Sequence, residues 1–496
     1  MKTRTVVIFT ATLCTTATFA QELPQSNNTW FTEGQAALEA ALAKQPNTNR
    51  ATNVILMISD GNGVGTNYAT RLFQGQQSGN FGDEHVLPHE AFPNLALVKT
   101  YNVNAQTPDS AGTGTAMMSG IKTKAGVVGV NEKVIRGDCT TIEGNTVASL
   151  NEIMSEMGKA TGIVSTARIT HATPASAYAK SVDRNFEEAV PEDCTQQADI
   201  ARQLLSAMAA GTIDVAMGGG RRNFLPTDTP DDEQDMGRRE DGRNLITEAQ
   251  HAGVSYAWND ETFAAMPLDG SVPLLGLFQS GHMQYDADRT GEPSLAEMTT
   301  AAITALQTAG GDNGFFLQIE AGRVDHANHG GNLARAVRDG VAFAEAVAAA
   351  DELTDDAHTL IVVTADHEHA IAFNGYCGRG SNILGLCMSI DGEGTKHSGV
   401  PELADDERPY TVAGYLNGPG SVLREDMNFS GVRPQIVEDE VTDLDYIQQA
   451  LIPKSSETHS GEDVAVYAKG PFAHLFDGTI EQNVIFHIID HAVTAE

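Results

Sequence analysis

Positive charge is scarce in this chain. It has 31 lysines and arginines against 66 aspartates and glutamates, a formal net charge of −35 over 496 residues. A field of that sign repels nucleic acid and anionic membranes, and so excludes a binder of either. It also repels any anionic substrate, so a site for one has to carry its own local cations. The bulk of the acid excess reads as a salt-adapted, solubilising surface. Cysteine is sparse too, five in all. With no C-x-x-C pair among them, a zinc–thiolate site is not expected. Beyond the first twenty residues no apolar run is long enough to span a bilayer. The Gly61 to Gly65 stretch, G-N-G-V-G, misses the spacing of a dinucleotide loop.

What is present begins with an export signal. Lys2 and Arg4 precede a short apolar run from Val6 to Leu13, and Thr18-Phe19-Ala20 forms a small-x-small cleavage pattern. Cleavage is expected after Ala20, removing Cys14 and leaving a periplasmic or secreted protein. The four remaining cysteines, Cys139, Cys194, Cys377 and Cys387, form an even set suited to disulfides. They allow three pairings. Local spacing favours Cys377–Cys387, which leaves Cys139–Cys194.

Periodicity points to an α/β protein. A helix is expected over 29–43, followed by a polar linker. Short apolar runs at 53–59 (NVILMIS), 160–166, 213–217, 315–319 (FFLQI), 360–364 (LIVVT) and 464–468 read as buried strands. Helical stripes fall between them: Val147 to Met157 with Gly158 as its C-cap, and Leu333 to Ala350. Another helix is expected over 480–489. Alternating strands and helices predict a mostly parallel central sheet covered on both faces. The segment 227–243 reads as a surface loop, and 373–449, rich in glycine, proline and acids, as an inserted subdomain. The expected organisation is a signal peptide (1–20), an N-terminal helix and linker (21–50), a core (51–372 and 450–496) and the insertion (373–449).

Acids and histidines gather at the ends of the strands. Asp60 follows NVILMIS, Glu320 follows FFLQI, and Asp366 and His367 follow LIVVTA. In open α/β sheets the crevice beyond the carboxyl ends of the strands is where sites form. Asp325 and His329, four apart, share one face of a helical turn, and their oxygen and nitrogen donors suit zinc. Asp109-Ser110-Ala111 opens a small-residue helix, which places the Ser110 hydroxyl among N–H groups that favour anions. No Ser-His-Asp arrangement is evident, so a metal ion is the natural activator of that serine.

The motifs VILMISDGNG, TPDSAGTGTAMMSG, THATPASAYAKSVDR, FFLQIEAGRVDHANHGGN, IVVTADHEH and ETHSGEDVAVYAKGP follow one another in this order. Together they resemble alkaline phosphatases from about Asn53 to the C-terminus, with the animal-type and marine-bacterial branch nearer than the enteric one. The resemblance implies a phosphate monoesterase with two zinc ions and one magnesium ion, working through a phosphoserine. It implies Ser110 as nucleophile and zinc ligand, with Asp325, His329 and His459 on one zinc. Asp60, Asp366 and His367 would hold the other. Asp60 would bridge to magnesium, completed by Thr173 and Glu320. Arg184 would grip the phosphate, with His326 on the substrate side and His171 beside the magnesium ligands. His171 and His326 replace an Asp and a Lys of the enteric branch, and His171 weakens the case for tight magnesium. Gln279 stands where animal enzymes carry an acid at a calcium site, so no calcium is expected. A homodimer is implied, with the insertion as a crown-like subdomain near the contact. The competing expectations are a diesterase or other hydrolase of the same metal-site superfamily, and a non-catalytic acidic metal-binding protein.

Overall fold

The computed structural model describes residues 23–422 and 431–495, and the chain divides into two compact units, Met1–Gln45 and Pro46–Glu496. The expected signal peptide, residues 1–20, lies outside the described residues. In the first unit, helix α1 (Thr29–Ala43) starts at Asn28, whose side chain accepts a hydrogen bond from the Trp30 N–H, and none of its residues is buried.

The second unit is built on a ten-stranded sheet. In chain order its strands are β1 (Asn53–Ser59), β2 (Asn94–Lys99), β3 (Ala160–Arg168), β4 (Val215–Gly219), β5 (Ser255–Ala257), β6 (Leu274–Leu277), β7 (Phe315–Ala321), β8 (Thr359–Ala365), β9 (Val464–Lys469) and β10 (Thr479–Glu481). Their order across the sheet is β10-β2-β9-β8-β1-β7-β3-β4-β6-β5. β9 runs antiparallel to both of its neighbours, and the other pairings are parallel. The expected α/β class is therefore the observed one.

The central strands are mostly apolar because both faces are covered, with polar residues such as Glu320 toward their carboxyl ends. Val54, Leu56 and Ile58 of β1 enter one core, where helices α3 (Ser110–Ser119), α4 (Leu150–Glu156) and α8 (Val484–Thr494) supply Met117, Leu150, Met154 and Ile485. Ile55 and Met57 enter the opposite core, filled by Met298, Ile303 and Leu306 of α5 (Leu295–Gly310) and by Phe343 and Val347 of α7 (Leu333–Glu352). A third cluster joins α2 (Val64–Gln77) and the start of α7 to Ile383, Leu384, Cys387 and Val412.

The expected helix over 480–489 needs correction. Its first residues form edge strand β10, paired in parallel with β2, and α8 begins at Val484. A short apolar run carries no period long enough to separate the two. The stripe before Gly158 yields the shorter α4, capped by Ser149 and Glu152 in a reciprocal box, and Gly158 does take a positive φ of 79°. Ala413–Gly418 of the expected insertion forms a separate three-stranded sheet with Ile371–Phe373 and Ala450–Pro453, which lie at its two borders. Cysteines pair as Cys139–Cys194 and Cys377–Cys387.

Candidate active site

The carboxyl ends of β1, β8 and β7 lie side by side in the sheet, so the residues that follow them meet. Asp60 ends β1. Gly61, at φ 65°, then turns the chain where a Cβ would come within 2.4 Å of His369 Nε2, so only glycine fits this close approach. Asp366 and His367 follow β8. His367 Nε2 lies 3.2 Å from Asp60 Oδ1 and 3.4 Å from Asp366 Oδ2. Ser110, 2% exposed, donates its hydroxyl to the same nitrogen at 3.3 Å. It is the first residue of α3, whose cap Asp109 accepts from the Gly112 N–H at 3.2 Å. Asp366 is fixed by the Gly61 N–H and the Thr113 hydroxyl, both at 3.1 Å.

A second cluster forms on α6 (Arg323–His329), which follows β7. Asp325 Oδ1 is 3.3 Å from His329 Nε2 and 3.3 Å from His459 Nε2, and these two nitrogens are 3.1 Å apart. The rings of His459 and His367 stack with centroids 3.5 Å apart, which joins the two clusters. A third group brings Asp60 together with Glu320 and His171. Thr173 is buried beside them on the turn after His171.

The hydrogen bonds around the rings decide what these clusters can hold. His329 Nδ1 meets the Glu457 carbonyl at 2.6 Å, His459 Nδ1 the Pro108 carbonyl at 2.9 Å, and His367 Nδ1 the Glu368 carbonyl at 3.3 Å. A carbonyl only accepts, so each Nδ1 carries the proton and each Nε2 presents a lone pair. Apart from the protons of Ser110 and His369, lone pairs and carboxylates thus face one another, a donor set that a dication satisfies. Burial, then the neighbouring Asp366, Asp325 and Glu320, pushes the Asp60 carboxyl far above the usual range. Burial likewise raises Asp366, and raises Glu320 to about 7. Asp325 goes the other way: burial opposes its charge, but His329, His369 and His459 hold it well below the ordinary value. Both Asp60 oxygens, Glu320 Oε1 and Thr173 Oγ are buried without a hydrogen-bond partner. Buried polar atoms of that kind call for a ligand, and a cation meets the need of all four.

Arg184 donates to Asp109 Oδ2 at 3.1 Å and to His171 Nε2 at 3.0 Å, so the acid that caps α3 also aims the guanidinium. His326 makes no contact with Ser110. It lies beside His171, at 5.5 Å between centroids, and accepts from Arg323 at Nδ1.

A sheet whose strand ends gather imidazoles and carboxylates around a buried serine and an arginine defines a metal-dependent hydrolase of the α/β class. A sequence model of the family "Alkaline phosphatase" matches residues 51–495. The alkaline phosphatase of Gadus morhua is 41% identical over 479 residues, spanning 93% of this chain and 96% of its own length. The tissue-nonspecific isozyme of Rattus norvegicus is 40% identical, spanning 97% and 91%. Among solved structures, alkaline phosphatase from the Antarctic bacterium TAB5 superposes with a TM-score of 0.61 at 23% identity, covering 90% of this chain and 99% of its own. The Thermus thermophilus enzyme gives 0.64 at 23%, covering 92% and 94%. These two likenesses bear on the fold alone. The chain belongs to the alkaline phosphatase family, and it is a metal-dependent phosphomonoesterase.

Every residue singled out in the sequence for the metals and the nucleophile thus falls in one connected region. Sequence reasoning passed over His369, His282 and Arg323, which contact Asp325 or His326 of this region. His369 is fully buried and places Nε2 2.9 Å from Asp325 Oδ1 and Nδ1 against a Glu457 carboxylate oxygen. Burial alone would lower it, but these two acids outweigh burial and raise it to about 10. The signal available was D-H-E-H, two histidines one residue apart at a strand end. His282 lies beside His326, in a loop with no signature.

Proposed function

We propose that Ser110 is the nucleophile of this phosphomonoesterase, and that it forms and then loses a phosphoryl group while accepting a broad range of monoesters. The observation that carries this is the Ser110 hydroxyl at the opening of α3, donating to a His367 nitrogen that also faces Asp60 and Asp366. Asp109 links that helix end to Arg184. Arg184 binds two phosphate oxygens through its planar fork. Ser110 Oγ attacks phosphorus as its hydroxyl proton passes to solvent. The Oγ–P bond forms as the P–O bond to the alcohol breaks, and the alcohol oxygen leaves with the bonding pair and takes a proton from water. A water oxygen then attacks phosphorus and gives up a proton to solvent, the Oγ–P bond breaks with its electron pair going to Oγ, which takes back a proton, and inorganic phosphate leaves. Two zinc ions, on Asp325, His329 and His459 and on Asp60, Asp366 and His367, would supply the positive charge at the attacking and leaving oxygens, with magnesium on Asp60, Thr173 and Glu320. His171 puts an imidazole where magnesium prefers oxygen, so that third position binds its ion weakly. Ser110→Ala should cut turnover by roughly three orders of magnitude or more while zinc stays bound. Full turnover in that variant removes Ser110 from the role.

We also read the chain as an exported homodimer with a salt-adapted surface, in which the segment 373–449 is a crown-like subdomain near the contact. Both disulfides suit an oxidising compartment. Among the described residues no helix is long and apolar enough to cross a membrane. Light scattering through a NaCl series should give twice the chain mass and an unfolding midpoint that rises with salt. A monomer mass, or a midpoint indifferent to salt, overturns the corresponding part.

A further inference from the structure

Beside the phosphate-binding Arg184, two more guanidinium groups converge on one spot. Three histidine rings mark it: His171, just after β3; His282, in the loop after β6; and His326, on α6. One nitrogen of each lies within 4.8 Å of the other two, and the ring centroids are 4.0 to 5.5 Å apart. Each ring is touched by a different arginine. Arg184 Nη2 donates to His171, Arg323 Nη1 to His326 at 3.2 Å, and Arg168 Nη1 meets His282 Nε2.

The three cations differ in how far they are neutralised. Arg168 is held by Glu187 through two of its nitrogens, and Arg184 by Asp109. Arg323 forms no ion pair among the described residues. Its Nε is buried without a hydrogen-bond partner, and its guanidinium lies 3.7 Å over the Tyr285 ring. Asp339, Glu292 and Asp288 act on it only through space. A largely buried guanidinium is normally paired, because removing a charge from water is costly. In a chain of net charge −35, leaving one unpaired beside an anion site is the opposite of what composition would give by chance.

Side-chain exposures of 16% for Arg168, 17% for Arg184 and 17% for His326 leave the cluster open to solvent. It is also rigid. The His282 loop is pinned by the Met283 N–H on the Thr166 carbonyl and by the Gly220 N–H on the Gly281 carbonyl, at 3.1 and 2.6 Å. The Arg168 N–H donates to His282 Nδ1 at 3.1 Å.

We propose that Arg323 and Arg168, held by His326 and His282, form a subsite for a second anionic group on the substrate, so that phosphomonoesters whose alcohol carries a nearby carboxylate or phosphate are favoured over neutral ones. The assignment rests on Arg184 taking the reacting phosphate, as proposed above. Charge-assisted, bidentate contacts from a guanidinium recognise both kinds of group.

The test compares a matched pair, 3-phosphoglycerate and glycerol 3-phosphate, on the zinc- and magnesium-loaded enzyme. kcat/KM should favour the carboxylate ester by roughly tenfold, the discrimination that one strong ionic contact provides. In Arg323→Met the preference should vanish while glycerol 3-phosphate turnover stays at the parental level, and Arg323→Lys should restore part of it. A phosphorylated diol bisphosphate run beside the pair tells whether a second phosphate serves as well as a carboxylate. If Arg323→Met misfolds, His282→Gln, which loosens Arg168 alone, should reduce the preference partway. A ratio of one in the parent enzyme, or a ratio unmoved by these variants, overturns the subsite. An unchanged ratio in an enzyme that still needs Ser110 separates that failure from a failure of the nucleophile assignment.

Discussion

Asp339, on α7, is a carboxyl group only 5% exposed, and its nearest donor is the Asp286 N–H at 3.3 Å. Burial raises it from 3.8 to about 8. Arg323 pulls the other way, and Asp286 adds to the rise. An acid whose folded value is raised costs stability as pH climbs from its unfolded value to its folded one, because over that window the folded state holds a proton that the unfolded state has released. The cost is complete above about pH 8. Asp339→Asn, which cannot ionise, should therefore raise the unfolding temperature more at pH 9 than at pH 5. Equal effects at both values would mean that Asp339 is ionised in the fold throughout. Single residues also mark the limit of reading the sequence. Asp60, Glu320 and Asp366 were legible because each ends a run of apolar strand residues, and that junction has few uses other than a site. His282, Arg323 and His369 were not legible, since their meaning lies in which loops meet, and no local period carries that.

Among the elements, α3 shows how one cap serves both a helix and a site. Asp109 accepts from Gly112 in the first turn, from the Gly126 N–H at 2.9 Å, from Asn102 at 3.0 Å and from Arg184. Ser294 caps α5 in a reciprocal box with Glu297 but contacts nothing in the site. Either cap replaced by alanine should cost about 0.5–2 kcal/mol of stability. Only Asp109→Ala should also weaken inhibition by inorganic phosphate, because Arg184 loses its anchor. Denaturation midpoints and phosphate inhibition constants, measured for both variants, separate the two roles, and an unaltered constant in Asp109→Ala would deny the anchor. Legibility at this scale followed the clarity of the local pattern rather than burial: α1 buries none of its residues, whereas the fully buried β6 went unread. Strand β1 and helix α1 matched their expected bounds residue for residue. Strand β2 went unread because Leu95 and Leu97 are exposed, leaving only Ala96 and Val98 inward. Helix α2 went unread because glycine and polar residues break up its apolar stripe.

For the molecule as a whole, the site and the sheet are the same structure. Asp60, Asp366, Glu320 and Asp325 come from or directly follow β1, β8 and β7, three adjacent central strands, and all are buried. Four carboxylates brought together out of water repel one another unless a cation stands between them. The fold tolerates them because the neighbouring imidazoles are fixed with their lone pairs toward the same space, where metal binding free energy becomes folding free energy. Removing the ions should therefore cost more than activity. Treatment with EDTA should abolish turnover and lower the unfolding temperature, and zinc should restore both. Asp325→Ala should narrow the gap in unfolding temperature between the loaded and stripped protein, since it removes a carboxylate of the proposed ligand set on α6, beside the central strands. Ser110→Ala should leave that gap intact, since the serine hydroxyl adds only one oxygen at the rim of the set. Calorimetry on the three proteins with and without chelator decides the matter. A stripped parent enzyme that unfolds at the same temperature as the loaded one would mean that the acid cluster is neutralised by bound protons instead, and that the metals are passengers on a sheet already stable without them.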